Sequence, residues 1–119
     1  SLEGLLGMLF APLAWLIGIP WSETQIAGQL LGVKTVLNEF IALRTLGILP
    51  ASELSPRSVL IMSYALSGFA NIGSLGILIG GLTTMVPERR VEIISLAPRA
   101  IISGTLATLM TAAVIGVLN

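Results

Sequence analysis

Three uncharged stretches partition this sequence: Gly4 to Ser22, Ser58 to Pro87 and Ala100 to Asn119. An α-helix rises about 1.5 Å per residue, so about 20 apolar residues cross a bilayer. The last two stretches reach that length and the first nearly does. Ala, Leu, Ile and Met dominate them, and the apolar/polar alternation of barrel strands is missing, which selects helices. Composition agrees: 55% of residues are hydrophobic, 10% are charged and the mean hydropathy is +0.98. Soluble domains carry roughly 25% charged residues. The expected fold class is an all-α membrane protein.

The same composition removes whole classes of function. Six basic and six acidic residues cancel, leaving no basic face for nucleic acid. With no cysteine, no histidine and glutamate as the only acid, thiolate chemistry, disulfides, imidazole metal sites and His- or Cys-based triads are excluded from this chain. No enzyme is expected. The sequence opens on Ser1 and turns apolar without a basic n-region, which predicts an internal stretch of a longer protein and not a signal peptide.

Punctuation between the stretches predicts four elements. A transmembrane helix over 4–20 contains Pro12 and ends at Pro20-Trp21, an interfacial aromatic. Ser22-Glu23-Thr24-Gln25 matches a capping box and predicts a helix start near Glu23. The region 23–54 carries Lys34, Glu39, Arg44 and Glu53 and is too polar for an ordinary lipid-facing span; if it is a helical hairpin that enters and returns, a polar tip around Asn38-Glu39 falls near mid-membrane. Ser55-Pro56 is a serine cap with proline at the first helical position. From there a broken transmembrane helix is expected over 56–86, in halves from Pro56 to about Gly68 and from about Ser74 to Met85. Val86-Pro87-Glu88-Arg89-Arg90 is a loop whose arginine pair predicts the cytoplasmic side. A last transmembrane helix over 91–118 begins near Pro98 and Arg99, the latter able to snorkel to the interface. Gly76 and Gly80 form a GxxxG pair suited to close helix approach in lipid.

Two polar clusters sit where lipid would not tolerate them. SGFANIGSLG, residues 67–76, interrupts the longest uncharged stretch. A broken helix leaves backbone groups without partners, at several kcal/mol each if they face lipid, so the break must face protein or a wet cavity. Asn71 and Ser74 are then either ligand-binding groups or hydrogen-bonding contacts to neighbouring helices. An amide-rich helix start near Ser74 would also suit a hydroxyl or an anion. The second cluster is Lys34-Thr35-Val36-Leu37-Asn38-Glu39-Phe40. Glu39 is either a ligand-binding carboxylate or half of a structural pair with Lys34 or Arg44. Two interrupted elements in one short chain point to a secondary transporter with substrate at the midplane. A channel or a membrane structural subunit with polar helix-packing residues is the alternative.

Taken together, GVKTVLNEFIAL at 32–43, SPRS at 55–58, YALSGFANIGSLGILIGGL at 64–82, VPERR at 86–90 and IISGTLATLM at 101–110 resemble the C-terminal part of the concentrative nucleoside transporters. The motifs follow one another in order over nearly the whole chain. The resemblance implies a multi-pass symporter of the cell inner (plasma) membrane, carrying nucleosides inward on a sodium or proton gradient and assembling as a homotrimer. It implies a re-entrant helical hairpin holding Glu39 and a discontinuous helix unwound at the FANxxS motif. By position, Glu39 would accept ribose hydroxyls, Asn71 and Ser74 would contact the ribose and Phe69 would line the pocket, with Asn38 a weaker candidate. The expected partners are a nucleoside and lipid, with no nucleic acid. No cofactor or metal is expected within this chain, and the residues for the coupling ion and the base would lie outside it. Gly73 departs from the family pattern, in which a serine is common before the motif's own serine.

Overall fold

A computed structural model describes all residues, Ser1–Asn119, and it contains helices and no strand. Six α-helices follow in order: α1 (Leu2–Leu16), α2 (Thr24–Val36), α3 (Glu39–Ile48), α4 (Pro56–Ala65), α5 (Ile72–Met85) and α6 (Arg90–Leu118). Short 3-10 turns at Trp21–Glu23 and Pro87–Arg89 precede α2 and α6.

Local chemistry explains most of these boundaries. The Ser1 hydroxyl caps α1 by accepting from the Gly4 amide at 3.1 Å. That helix carries Pro12 internally and stops at Leu16, and the chain then turns through Gly18, whose φ of 104° suits a residue without Cβ. The first helix is therefore shorter than the 4–20 read from apolarity, because Ile17–Pro20 form the turn. Ser55 caps α4 by accepting from the Ser58 amide, and Pro56 occupies the first turn. The capping box expected at Ser22 does not form. Glu23 occupies the cap position of α2 without a side-chain cap bond. Thr24 instead donates its hydroxyl to the Trp21 carbonyl at 2.7 Å, and Gln25 reaches across to the Gly4 carbonyl of α1 at 3.1 Å. The 3-10 turn draws the helix start one residue on, and a bond between two helices replaces the local one.

The core lies among α1 to α4 and one stripe of α6, which adds Leu109 and Ala112. Ala14, Ala27, Leu30, Leu31, Ala42, Leu46, Ile61, Met62, Ala65 and Leu66 are all buried in one cluster. α1 and α2 come into backbone contact through small residues. A Cβ placed on Gly28 would collide with the Gly7 carbonyl oxygen and stand 2.9 Å from the Ala11 nitrogen. Contacts at both ends of α2 fix it against α4 and α5. At its start, Glu23 accepts from the Ser55 amide at 2.6 Å and from the Ser58 hydroxyl at 3.3 Å, setting a carboxylate on the N-terminus of α4. At its end, the Leu37 carbonyl lies against Gly73 at the start of α5.

An arginine in the first turn of α4 adds two further ties at the same end as Glu23. Arg57 donates to the Gly18 carbonyl at 2.8 Å and to the Gly116 carbonyl at 2.7 Å, joining the turn after α1 to the last turn of α6. Elsewhere α5 and α6 are open: α5 has no buried residue, and α6 buries only Ala97, Leu109, Ala112 and Gly116. Nothing lies within 4 Å of a Cβ placed on Gly76 or Gly80, so the GxxxG pair joins no helix within this chain. The segment Pro87–Leu118, 32 residues long, is the one helical stretch long and apolar enough to cross a membrane, its 18-residue window reaching a mean hydropathy of 2.0. Leu2–Leu16 and Ile72–Met85 are shorter apolar helices.

Candidate functional site

Two short gaps in helical structure meet in space. The first is Leu37–Asn38, between α2 and α3. Asn38 is extended (φ −166°) and caps α3, its side chain accepting from the Ile41 amide at 2.9 Å. This assigns Asn38 a local structural task and leaves Glu39, in the first turn of α3, as the outward group. A carboxylate is favoured there by the positive end of the helix dipole.

The second gap is Leu66–Asn71, between α4 and α5. It opens earlier and closes earlier than the sequence suggested: α4 ends at Ala65 instead of near Gly68, and α5 resumes at Ile72 instead of Ser74. The reason is Asn71, which is extended (φ −144°) and caps α5 by accepting from the Ser74 amide at 2.8 Å. An asparagine cap starts a helix one residue after itself, so Ser74 becomes the third helical position and its amide is already occupied. Gly68 and Ala70 hold the gap against α6. A Cβ on Gly68 would press into the Thr108 side chain, and Ala70 Cβ stands 3.1 Å from a Cβ built on Gly104.

Asn71 joins the two gaps. Its Nδ2 donates to Glu39 Oε2 at 2.8 Å and to the Phe69 carbonyl at 3.3 Å, and the residue is 1% exposed. Both amide protons and the carbonyl are thereby used within the chain. Glu39 is only half-buried and its Oε1 accepts no bond. The Ser74 hydroxyl also has no partner, although its amide does. Phe69 projects its ring outward, with 74% of its surface exposed. Phe69, Asn71 and Ser74, with Ala70, Leu75 and Leu78, line a concavity of about 440 Å³ closed by Ala100, Ile101 and Gly104 of α6. Glu39 does not line that concavity and reaches it through the Asn71 amide. The structure thus brings all four sequence-derived residues to one place, three in the wall of a cavity and the fourth hydrogen-bonded behind it.

The structural alternatives for Glu39 resolve differently from their statement in sequence. Glu39 pairs with neither Lys34 nor Arg44, since the one ion pair in the chain is Arg89–Glu92 at 2.8 Å on the exposed loop. Its partner is the neutral Asn71, 32 residues away, and spacing along the chain carries no signal of that bond. Gly73 also finds its place. A Cβ there would sit at ordinary contact distance, 3.5 Å, from the Leu37 carbonyl and Asn71 Oδ1, so a small side chain fits and glycine is not demanded. Glu23 and Arg57, which tie the start of α4 to its neighbours, were not singled out from sequence, because their partners lie at distant positions of the chain.

Comparison with known proteins leads to the same place. The family described as the Na+ dependent nucleoside transporter C-terminus matches residues 1–116. The nucleoside permease NupC of Helicobacter pylori is 44% identical over 120 residues, a match covering 98% of this chain and 29% of the permease. Human solute carrier family 28 member 3 is 42% identical over 135 residues, covering 100% of this chain and 19% of the carrier. Among solved structures, CNTnw in an inward-facing substrate-bound state superposes with a TM-score of 0.87 at 47% identity, covering 98% of this chain and 29% of that one. The chain therefore spans less than a third of the length of these relatives. Residue motifs, helix order and fold agree on one assignment: the chain belongs to the concentrative nucleoside transporter family, as a C-terminal part of these membrane transporters.

Proposed function

We propose that this chain supplies the ribose-binding half of a nucleoside site in a cation-coupled symporter. The observation that carries the reading is the Asn71–Glu39 bond of 2.8 Å, which places a carboxylate with one free oxygen at the meeting point of two helix breaks. A ribose presents vicinal hydroxyls, and an ionised carboxylate accepts from them in charge-assisted bonds about twice as strong as neutral ones. Glu39 accepts ribose hydroxyls, the Ser74 hydroxyl adds a donor and acceptor, Phe69 covers the ligand, and Asn71 contacts the ribose while it holds Glu39 in place. The α2–α3 pair acts as the re-entrant hairpin over 23–54 and α4–α5 as the discontinuous helix over 56–86, flanked by membrane-spanning helices over 4–20 and 91–118. Apolar exposed faces on α1, α5 and α6 support that arrangement in a multi-pass protein of the cell inner membrane.

The coupling cation, sodium or a proton, binds outside these residues, and the full-length protein works as a homotrimer. Support for cation coupling is the sodium dependence in the family's description. The test is Glu39→Gln in the full-length transporter. It keeps the shape and removes the charge, so ribonucleoside uptake should fall at least about tenfold, the cost of a buried hydrogen bond to a charged group. Membrane insertion should be unchanged. Wild-type uptake by a well-expressed variant would remove Glu39 from the site. Counterflow of labelled against unlabelled uridine separates a transporter from a channel, which conducts without exchange.

A further inference from the structure

Arg57 is exposed, yet two main-chain carbonyls hold its guanidinium in place. Nη1 donates to Gly18 at 2.8 Å and Nη2 to Gly116 at 2.7 Å. Both acceptors lie at the C-terminal ends of apolar helices, where the helix dipole favours a cation. A guanidinium has five N–H donors, so three remain open, and no carboxylate stands within 4.0 Å of it. Glu23, at the same end of α4, is spent on the Ser55 amide and the Ser58 hydroxyl. A planar fork fixed from one side and open on the other suits the paired oxygens of a phosphate.

The surroundings of that fork are apolar and lie at headgroup depth. Arg57 lines a cavity of about 140 Å³ whose other side chains are Leu16, Ile17, Ala113 and Val117. Leu16 and Val117 are 67% and 86% exposed, so apolar surface runs out from the charge along α1 and α6. Trp15 and Trp21 flank the same turn with their rings edge to face, centroids 6.4 Å apart, and both are more than half exposed. The Gly18 amide bonds the Trp15 carbonyl at 3.0 Å, which fixes this pair beside the acceptor of Arg57. Exposed tryptophans settle at the membrane interface. Length along α6 gives the same level: from Arg90 to Gly116 a helix rises about 39 Å. A bilayer with its headgroup layers is about 40–45 Å thick. With the polar turn at Pro87–Arg89 in one headgroup layer, Arg57 stands in the other.

We propose that Arg57 and the cavity beside it bind the headgroup phosphate of an anionic phospholipid, whose acyl chain lies against Leu16 and Val117. Charge complementarity selects the phosphate, and the apolar walls select a ligand that carries a tail over a free anion. The site is independent of the ribose reading of Glu39 and Asn71. The lipid would rest on the three elements that Arg57 joins: the turn after α1, the start of α4 and the end of α6.

The experiment measures binding of phosphatidylglycerol, and of phosphatidylcholine with the same acyl chains, to the purified full-length transporter by native mass spectrometry. The wild type should prefer phosphatidylglycerol. Arg57→Gln should lower phosphatidylglycerol affinity at least about tenfold, the loss of hydrogen bonds to a charged group, and should leave phosphatidylcholine binding little changed. Arg57→Lys keeps the charge without the fork and should fall between wild type and Arg57→Gln. Because Arg57→Gln also breaks the ties to Gly18 and Gly116, Leu16→Glu is the second variant. It leaves those ties and sets a carboxylate at the mouth of the cavity, where it should exclude phosphatidylglycerol by a similar factor. Equal affinity of the wild type for the two lipids, the result expected if another helix of the transporter covers this face, overturns the proposal. So does phosphatidylglycerol binding that is unchanged in either Arg57→Gln or Leu16→Glu, or an equal loss of both lipids in Leu16→Glu. Inorganic phosphate should not displace the lipid; displacement would show a site for a free anion and would also overturn the proposal.

Discussion

Glycine is put to opposite uses in α1–α2 and in α5. Gly7, Gly28 and Gly32 stand where an added Cβ would meet a neighbouring helix, whereas Gly76, Gly80 and Gly81 have nothing within 4 Å. The first pair of helices uses small residues to bring backbones together, and their apolar neighbours enter the core. In α5 the same residue type lies on an unpartnered helix whose large side chains, Ile72, Ile77 and Leu78 among them, are exposed. Apolar content is thus no guide to which helix packs within the chain. What separates the two regions is where complementary surface exists: α1 to α4 find it in one another and in one stripe of α6, whereas α5 and the rest of α6 leave large apolar side chains exposed.

Substitutions in the full-length transporter, monitored by thermal unfolding in detergent, can break this contrast. The largest effect is expected at Gly28→Val, because its side chain meets backbone atoms that cannot move aside; the loss should reach about 3 kcal/mol, the upper end for overpacking. Gly80→Ala is the counterpart. If that position is open in the assembled protein, the variant should gain about 0.5 to 1 kcal/mol from reduced backbone entropy. A loss of stability there would locate a helix from the remaining chain against α5.

Next in size is Glu23→Gln. It weakens a charged acceptor for the Ser55 amide and the Ser58 hydroxyl, and should cost about 2 kcal/mol. Its effect tests whether the compact half depends on the tie between α2 and α4. Asn71→Ala should cost about 1 kcal/mol through loss of the α5 cap. It should also reduce nucleoside affinity, because Glu39 loses its only protein partner. Binding and stability measured on the same sample separate these two consequences. The smallest effect is expected at Arg89→Ala. Its bidentate pair with Glu92 is on the exposed loop, where solvent screens it, so no measurable shift in the unfolding midpoint is expected.

Much of the site was legible in sequence because its signals are local. Glycine and asparagine in an apolar stretch mark a break wherever the chain folds, since a helix in lipid cannot leave its backbone groups unsatisfied. Ser55-Pro56 marks a helix start for similar reasons. Local signals were less dependable for boundaries. Asn71 caps α5 and moved its start from Ser74 to Ile72, and the side chain that seemed free to meet a ligand is engaged on all its polar atoms. Likewise Gln25 serves an interhelical bond with Gly4 instead of a capping box.

The amino-acid sequence by itself determined that this chain is helical and belongs in a membrane, and that the helix begun at Pro56 is interrupted close to Gly68–Ser74. Those properties follow from hydropathy, charge spacing and the backbone needs of individual residues, which act over one or two helical turns. Only the tertiary structure decided where the two interruptions fall and that they face each other, that Asn71 bonds Glu39, and that Glu23 and Arg57 together tie the start of α4 to α2, to the turn after α1 and to the end of α6. Each of these depends on groups brought together from distant positions, and the directional bonds that select such pairs act only once packing has set the helices side by side.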